Sequence, residues 1–167
     1  EDPSRYETPR ADYVIRMQNG ALRACRQQRY ELLIHPRVYG TANLRRELND
    51  LVGRVRPTGI VLAAPLSNMA HVVDAIAETR TPLVCLSPGV EMPGRPTVAT
   101  NDREICAEMT RYLASLGHRQ IAFVSGNPDH KAVSNRLPGY VDGLRQSALK
   151  YAARLVVAGD NSVKSGE

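Results

Sequence analysis

Apolar positions along the chain alternate between helical spacing, about 3.6 residues, and short continuous runs, which predicts helices and strands in turn. Tyr13, Val14, Met17, Ala21, Leu22 and Cys25 share one face of a helix that Asp12 is placed to cap. Tyr30 to His35 reads as a strand stopped by Pro36. Thr41 is placed to cap a second helix with Leu44, Leu48, Leu51, Val52 and Val55 on its apolar stripe. The break Pro57-Thr58-Gly59 leads into a strand from Ile60 to Ala63, and Ser67 or Asn68 opens a helix carrying Val72, Val73, Ala75 and Ile76. Leu83 to Leu86 is the next strand, and the Pro- and Gly-rich stretch from Ser87 to Pro96 is expected as a surface loop. A short strand around Val98 and a helix from about Asp102 to Leu116 follow. The remainder predicts a strand from Gln120 to Val124, a helix from Leu137 to Tyr151 and a last strand over Arg154 to Ala158.

Strand followed by helix, repeated, implies an α/β fold: a parallel sheet with helices on both faces and right-handed crossovers. The strands are continuously apolar, and only strands buried on both sides dispense with a wet face. At 167 residues and 43% hydrophobic content the chain is long enough for one ordinary domain with a core. The net charge of +5 raises the question of a nucleic-acid partner. The cations are scattered, however: Arg16, Arg23, Arg26 and Arg29 follow one helix and Arg45, Arg46, Arg54 and Arg56 another, without aromatic interleaving. Solvated helix faces explain them better than a nucleic-acid reader does.

Chemistry that needs a fixed motif is absent from the sequence. There is no Gly-x-Gly-x-x-Gly after a strand, no phosphate-binding Walker loop and no Gly-x-Ser-x-Gly elbow. His35, His71, His118 and His130 are dispersed, and no metal-ligand spacing occurs. Asp102 and Glu104 read as acids at a helix N-terminus, stabilised by the dipole, in preference to an acid/base pair. The chain is therefore not expected to be an enzyme, and no cofactor is implied. Cys25, Cys85 and Cys106 suit buried, reduced thiols and a cytoplasmic protein better than a disulfide framework. No apolar run reaches the length of a membrane span, and Glu1-Asp2-Pro3-Ser4 has no signal-peptide character.

Leu116-Gly117-His118-Arg119-Gln120-Ile121-Ala122-Phe123-Val124-Ser125-Gly126 and the later Ser134-Asn135-Arg136-Leu137-Pro138-Gly139-Tyr140 are the most informative segments. The first reads as a helix closed by glycine, with cations beside its last carbonyls, running into a strand. In open α/β sheets small ligands bind beyond the carboxyl ends of the strands, and Arg136 is placed to reach that rim.

Together these segments resemble the effector-binding domain of bacterial LacI/GalR-type transcriptional repressors. Gly20 to Cys25 with Tyr30 to Ile34, and Pro57 to Leu62 with Pro82 to Val84, agree in order. The resemblance implies a lobe of the type I periplasmic-binding-protein form, flavodoxin-like in topology, closing with a second lobe around a small effector, a sugar or sugar derivative. Residues 1–152 are then expected to be the first lobe, lacking its first central strand, and residues 153–167 the start of the second. By position, Arg136 is the arginine that donates forked hydrogen bonds to hydroxyls or a carboxylate. Ser87 stands where many relatives carry an aspartate, and its uncharged hydroxyl makes a weaker clamp. Ser4 and Tyr6, Pro65 at a strand end, and Asn101 with Asp102 complete the expected ligand-binding set. The resemblance also implies a homodimer through the helix near residues 12–28, and operator DNA as a partner only through a helix-turn-helix outside this chain. The alternative from another class is a periplasmic solute-binding protein serving a transporter.

Overall fold

The computed structural model describes residues 11–35, 43–127, 130–160 and 165, the side chains of residues 11 and 12 excepted. The expected caps Asp12 and Thr41 lie outside the described side chains. The chain divides into two compact units, Glu1–Leu44 and Arg45–Glu167.

In the first unit, helix α1 spans Ala11–Gln27 and has the expected amphipathic pattern. It ends where Arg29 takes a positive φ and the Tyr30 amide donates to the Cys25 carbonyl at 2.8 Å, which satisfies a carbonyl that the helix leaves open. The strand expected over Tyr30 to His35 does not form: these residues have no regular secondary structure, and Leu33 is 65% exposed. A strand is made by its hydrogen-bonded neighbour, and no strand among the described residues pairs with this segment.

In the second unit, helix α2 (Leu44–Val55) precedes strand β1 (Ile60–Ala63), helix α3 (Ala70–Glu78), strand β2 (Leu83–Leu86) and strand β3 (Thr97–Val98). These three strands form one parallel sheet in the order β1-β2-β3, with Leu62 opposite Cys85 and Cys85 opposite Thr97. Leu62 and Cys85 are buried on one face, as are Val72, Val73, Ala75 and Ile76 of α3. Ser67 and Asn68 do not cap α3. They lie in a short 3-10 turn before it, and the Ser67 hydroxyl donates instead to the Leu86 carbonyl at 2.8 Å, tying the end of β1 to the end of β2.

Helix α4 (Asp102–Ser115), strand β4 (Phe123–Val124), the single turn α5 (Lys131–Ser134), helix α6 (Arg136–Gln146) and strand β5 (Val156–Val157) follow. β4 pairs in parallel with β5, and among the described residues neither pairs with the first sheet. Periodicity identifies strands but not their neighbours, and the first sheet ends with β3, before α4. Gly117 closes α4 as the sequence suggests: its φ is 94°, the His118 amide returns to the Leu113 carbonyl at 3.2 Å, and Arg119 donates to the Ala114 carbonyl. Helix α6 stops at Gln146, short of the expected Tyr151, because Ala148 takes φ 56° and the Leu149 amide returns to Leu144 at 2.9 Å. Leu149 then packs on the cluster of Ala114, Ile121, Tyr140 and Leu144, the apolar contact that accompanies this kind of helix end.

Two glycines bring α6 onto α4. A Cβ at Gly139 would lie 2.1 Å from the Arg103 carbonyl oxygen, and one at Gly143 2.7 Å from the Ala107 carbonyl oxygen. Only a hydrogen side chain admits that approach. Tyr140, between them, stacks on Phe123 with ring centroids 5.2 Å apart and donates its hydroxyl hydrogen bond to the Ile121 carbonyl at 2.8 Å. The buried hydroxyl is thus satisfied while its ring holds α6 against β4.

Candidate functional site

Parallel pairing brings the carboxyl ends of β1, β2 and β3 to one edge, where Pro65, Ser87, Asn101 and Asp102 gather. The Ala64 amide donates to the Leu86 carbonyl at 3.2 Å, and the Ser87 amide donates to the Val98 carbonyl at 2.8 Å. Pro65 is buried after a cis peptide bond at the head of the 3-10 turn. Ser87 takes φ 48°, which for a residue with a Cβ costs about 1 kcal/mol and turns the chain sharply off the sheet.

The turn delivers Pro88 into full burial and sets Gly89, at φ 67°, against the first turn of α5. A Cβ there would lie 2.0 Å from the Ala132 backbone nitrogen, and the Asn135 side-chain amide donates to the Gly89 carbonyl at 3.3 Å. The loop between β2 and β3 is therefore clamped to α5 and the residue that follows it. Beneath it opens a cleft of about 850 Å³, lined by Gly89, Glu91, Thr97, Thr100, Asp102, Arg103 and Asn135 among others. That volume lies in the range of small-molecule sites.

Asn101 caps α4: its side-chain oxygen accepts from the Glu104 amide at 3.5 Å, one of the donors that a helix start leaves open. Asp102 points into the cleft wall, accepts from the Thr100 hydroxyl at 2.8 Å, and receives the Arg136 Nε at 2.7 Å. The Asp102 side chain is 11% exposed and that of Arg136 44% exposed, so the carboxylate is sunk while the outer edge of the guanidinium meets solvent. This ion pair joins the start of α4 to the start of α6, beside the Gly139 contact that sets their spacing. A second one, from Arg103 Nε to Asp142 at 2.8 Å, joins the same helices one turn further on, and Arg145 also donates to Asp142 at 3.0 Å.

Of the expected residues, Asp102 lines the cleft and Arg136 adjoins it through Asp102, whereas Pro65, Ser87 and Asn101 follow the ends of β1, β2 and β3 and are not among the described lining residues. Ser4 and Tyr6 lie outside the described residues. Sequence reasoning passed over Gly89, Arg103 and Asn135. Asn135 adjoins Arg136 and offered that signal, whereas nothing local marks Gly89 or Arg103.

The Cys85 and Cys106 thiols are not activated nucleophiles. Burial pushes the Cys106 thiol above its ordinary value, with the Arg136 guanidinium opposing and the Asp102 carboxylate adding. Burial raises Cys85 as well, against the opposing charge of Arg95. Both remain protonated at neutral pH, and the thiolate is the nucleophilic form. Among the described residues no three of His, Cys, Asp and Glu converge to hold a metal ion, and no helix is long and apolar enough to cross a membrane.

The profile of the family described as periplasmic binding proteins and sugar binding domain of LacI family matches residues 6–167. No curated protein matches the chain. Among solved structures, a transcription regulator from Lactobacillus plantarum is similar at 23% identity and a TM-score of 0.75, over 93% of this chain and 56% of that one. The Escherichia coli transcriptional repressor ascG is similar at 21% identity and a TM-score of 0.74, over 93% of this chain and 57% of that one. The regulator CelR in complex with cellobiose is similar at 24% identity and a TM-score of 0.61, over 75% of this chain and 39% of that one. The chain thus spans little more than half the length of the first two relatives and less of the third. With an α/β fold, parallel strands and a cleft at their carboxyl ends, the chain belongs to the family of periplasmic binding proteins and LacI-type sugar-binding domains.

Proposed function

We propose that the chain is the ligand-sensing portion of a LacI-type transcriptional regulator, and that it holds a small effector, a sugar or sugar derivative, in the cleft beneath the Ser87 to Pro96 loop. The observation that carries this reading is the Asp102–Arg136 pair at the carboxyl edge of a parallel sheet, a donor and an acceptor fixed side by side. Hydroxyl groups need both. Ser87, Pro65 and Asn101, at the strand ends, complete the proposed set. The two sheets act as parts of two lobes that meet near Thr100.

In this reading the protein works by binding and not by turnover, in the cytoplasm. It reads operator DNA through a separate helix-turn-helix and dimerises through α1. Effector binding shifts the lobes between open and closed arrangements by its differential affinity for the two. Dimerisation converts that shift into a change in the spacing of two DNA-reading heads.

A thermal-shift screen of carbohydrates against the intact protein and its Arg136→Ala variant tests the proposal. A ligand at a hundred times its Kd stabilises the folded state by about 2.7 kcal/mol, which is readily measured. Stabilisation lost in the variant supports the site. A hit that Arg136→Ala binds with unchanged affinity removes Arg136 from it.

A further inference from the structure

Both arginines beside the cleft already have a carboxylate. Arg136 gives its Nε to Asp102, and Arg103 gives its Nε to Asp142. The cleft's remaining charged lining residue is Glu91, an anion, and Asp102 itself faces the space. Among the described lining residues, no cation is left without a counter-charge. An arriving phosphate or carboxylate would gain the outer edge of Arg136 but meet two carboxylates held nearby. A hydroxyl meets the same arrangement without penalty: it donates to a carboxylate and accepts from a guanidinium edge.

We infer that Asp102 sets the charge class of the effector, and that the cleft takes a neutral, polyhydroxylated ligand and rejects its phosphorylated or carboxylated counterpart. The inference rests on the effector-binding reading above and deepens it. Asp102 has two tasks in this scheme. It holds Arg136 through Nε, so the terminal nitrogens stay outside that bond, and it cancels the charge that would attract an anion. Thr100 holds the carboxylate from its other oxygen, so neither the position nor the charge depends on the ligand.

Calorimetric titration of the intact protein with glucose, cellobiose and their 6-phosphates tests this. The wild type is expected to bind a neutral sugar at least about tenfold more tightly than its phosphate, a margin of about one charge–charge contact near the surface. Raising salt from about 50 to about 500 mM should change the neutral affinity by less than about twofold, because no net charge is matched in the complex. Asp102→Asn, which keeps the shape and removes the charge, is expected to move the neutral-to-phosphate ratio by about tenfold or more toward the phosphate, whereas Asp102→Glu keeps the neutral preference. The ratio is read within each variant, so a partly unfolded sample does not distort it. A wild type that prefers the phosphate, or an Asp102→Asn ratio equal to the wild type's, overturns this inference and leaves the effector reading standing. Absence of binding for neutral and phosphorylated sugars alike overturns both.

Discussion

The two sheets of the second unit are held by different means. Beside β1, β2 and β3 the buried residues are branched aliphatics, with Val72, Val73, Ala75 and Ile76 of α3 and Leu62 of β1 removed from solvent. Beside β4 and β5 the helices meet backbone to backbone at Gly139 and Gly143, and an aromatic residue bonded through its hydroxyl fills what remains. One region is stabilised by filling space and the other by leaving none. The second design positions a site more tightly, because the spacing of α4 and α6 also sets where Asp102 and Arg136 meet.

The comparison breaks most sharply at Gly139. Gly139→Ala forces a Cβ into the Arg103 carbonyl, and overpacking against backbone is expected to cost about 3 kcal/mol in chemical denaturation. It should also weaken effector binding, since α4 and α6 part at the Asp102–Arg136 pair. In the other region the opposite kind of change does comparable harm: Ile76→Ala leaves a cavity, and a loss of about 2 to 4 kcal/mol is expected. That loss should leave the ratio of neutral to phosphorylated ligand affinity unchanged, which separates the structural role of the first sheet's core from the positioning role of the second.

Tyr140→Phe is a smaller perturbation, removing one buried hydrogen bond and keeping the ring stack. A loss of about 1 to 2 kcal/mol is expected, because the Ile121 carbonyl then has no donor. The same residue predicts an alkaline effect. Burial, with Tyr151 adding, raises the Tyr140 hydroxyl above its ordinary value of 10.0. The folded state therefore holds a proton that the unfolded chain releases, so this contribution is full below pH 10 and is lost as pH rises through the folded value. Denaturation midpoints followed from neutral pH upward should fall above that point in the wild type, and less steeply in Tyr140→Phe. The smallest effect is a gain: a Cβ at Gly53 in α2 meets nothing within 4 Å, so Gly53→Ala should stabilise by about 0.5 to 1 kcal/mol. Two glycine-to-alanine changes on helices of one unit thus have opposite signs, and thermal melts of the pair check the contrast.

The sequence located the elements better than it located their neighbours. Ile60–Ala63 and Leu83–Leu86 form over the expected residues, since each is an apolar run bounded by turn residues, a pattern contained within ten residues or so. Helix ends were legible where glycine marks them, as at Gly117, and missed where Ala148 takes the same left-handed conformation without a residue type to announce it. The short segment before His35 looked like a strand and is not one, because pairing is a long-range event that local apolarity does not supply. In the site, Asp102 and Arg136 were nominated separately, one as a helix N-terminal acid within the ligand-binding set and the other as the ligand arginine.

By itself, then, the sequence determined the α/β class, the order of most helices and strands, and the candidacy of Asp102 and Arg136, all properties carried by local spacing and residue chemistry. Tertiary structure alone decided that the strands divide into two sheets, that Gly89 is pinned against α5, and that Arg136 is neutralised by a carboxylate 34 positions away. Those outcomes depend on which backbones approach within hydrogen-bond distance, and chain neighbours leave no trace of that in their own pattern.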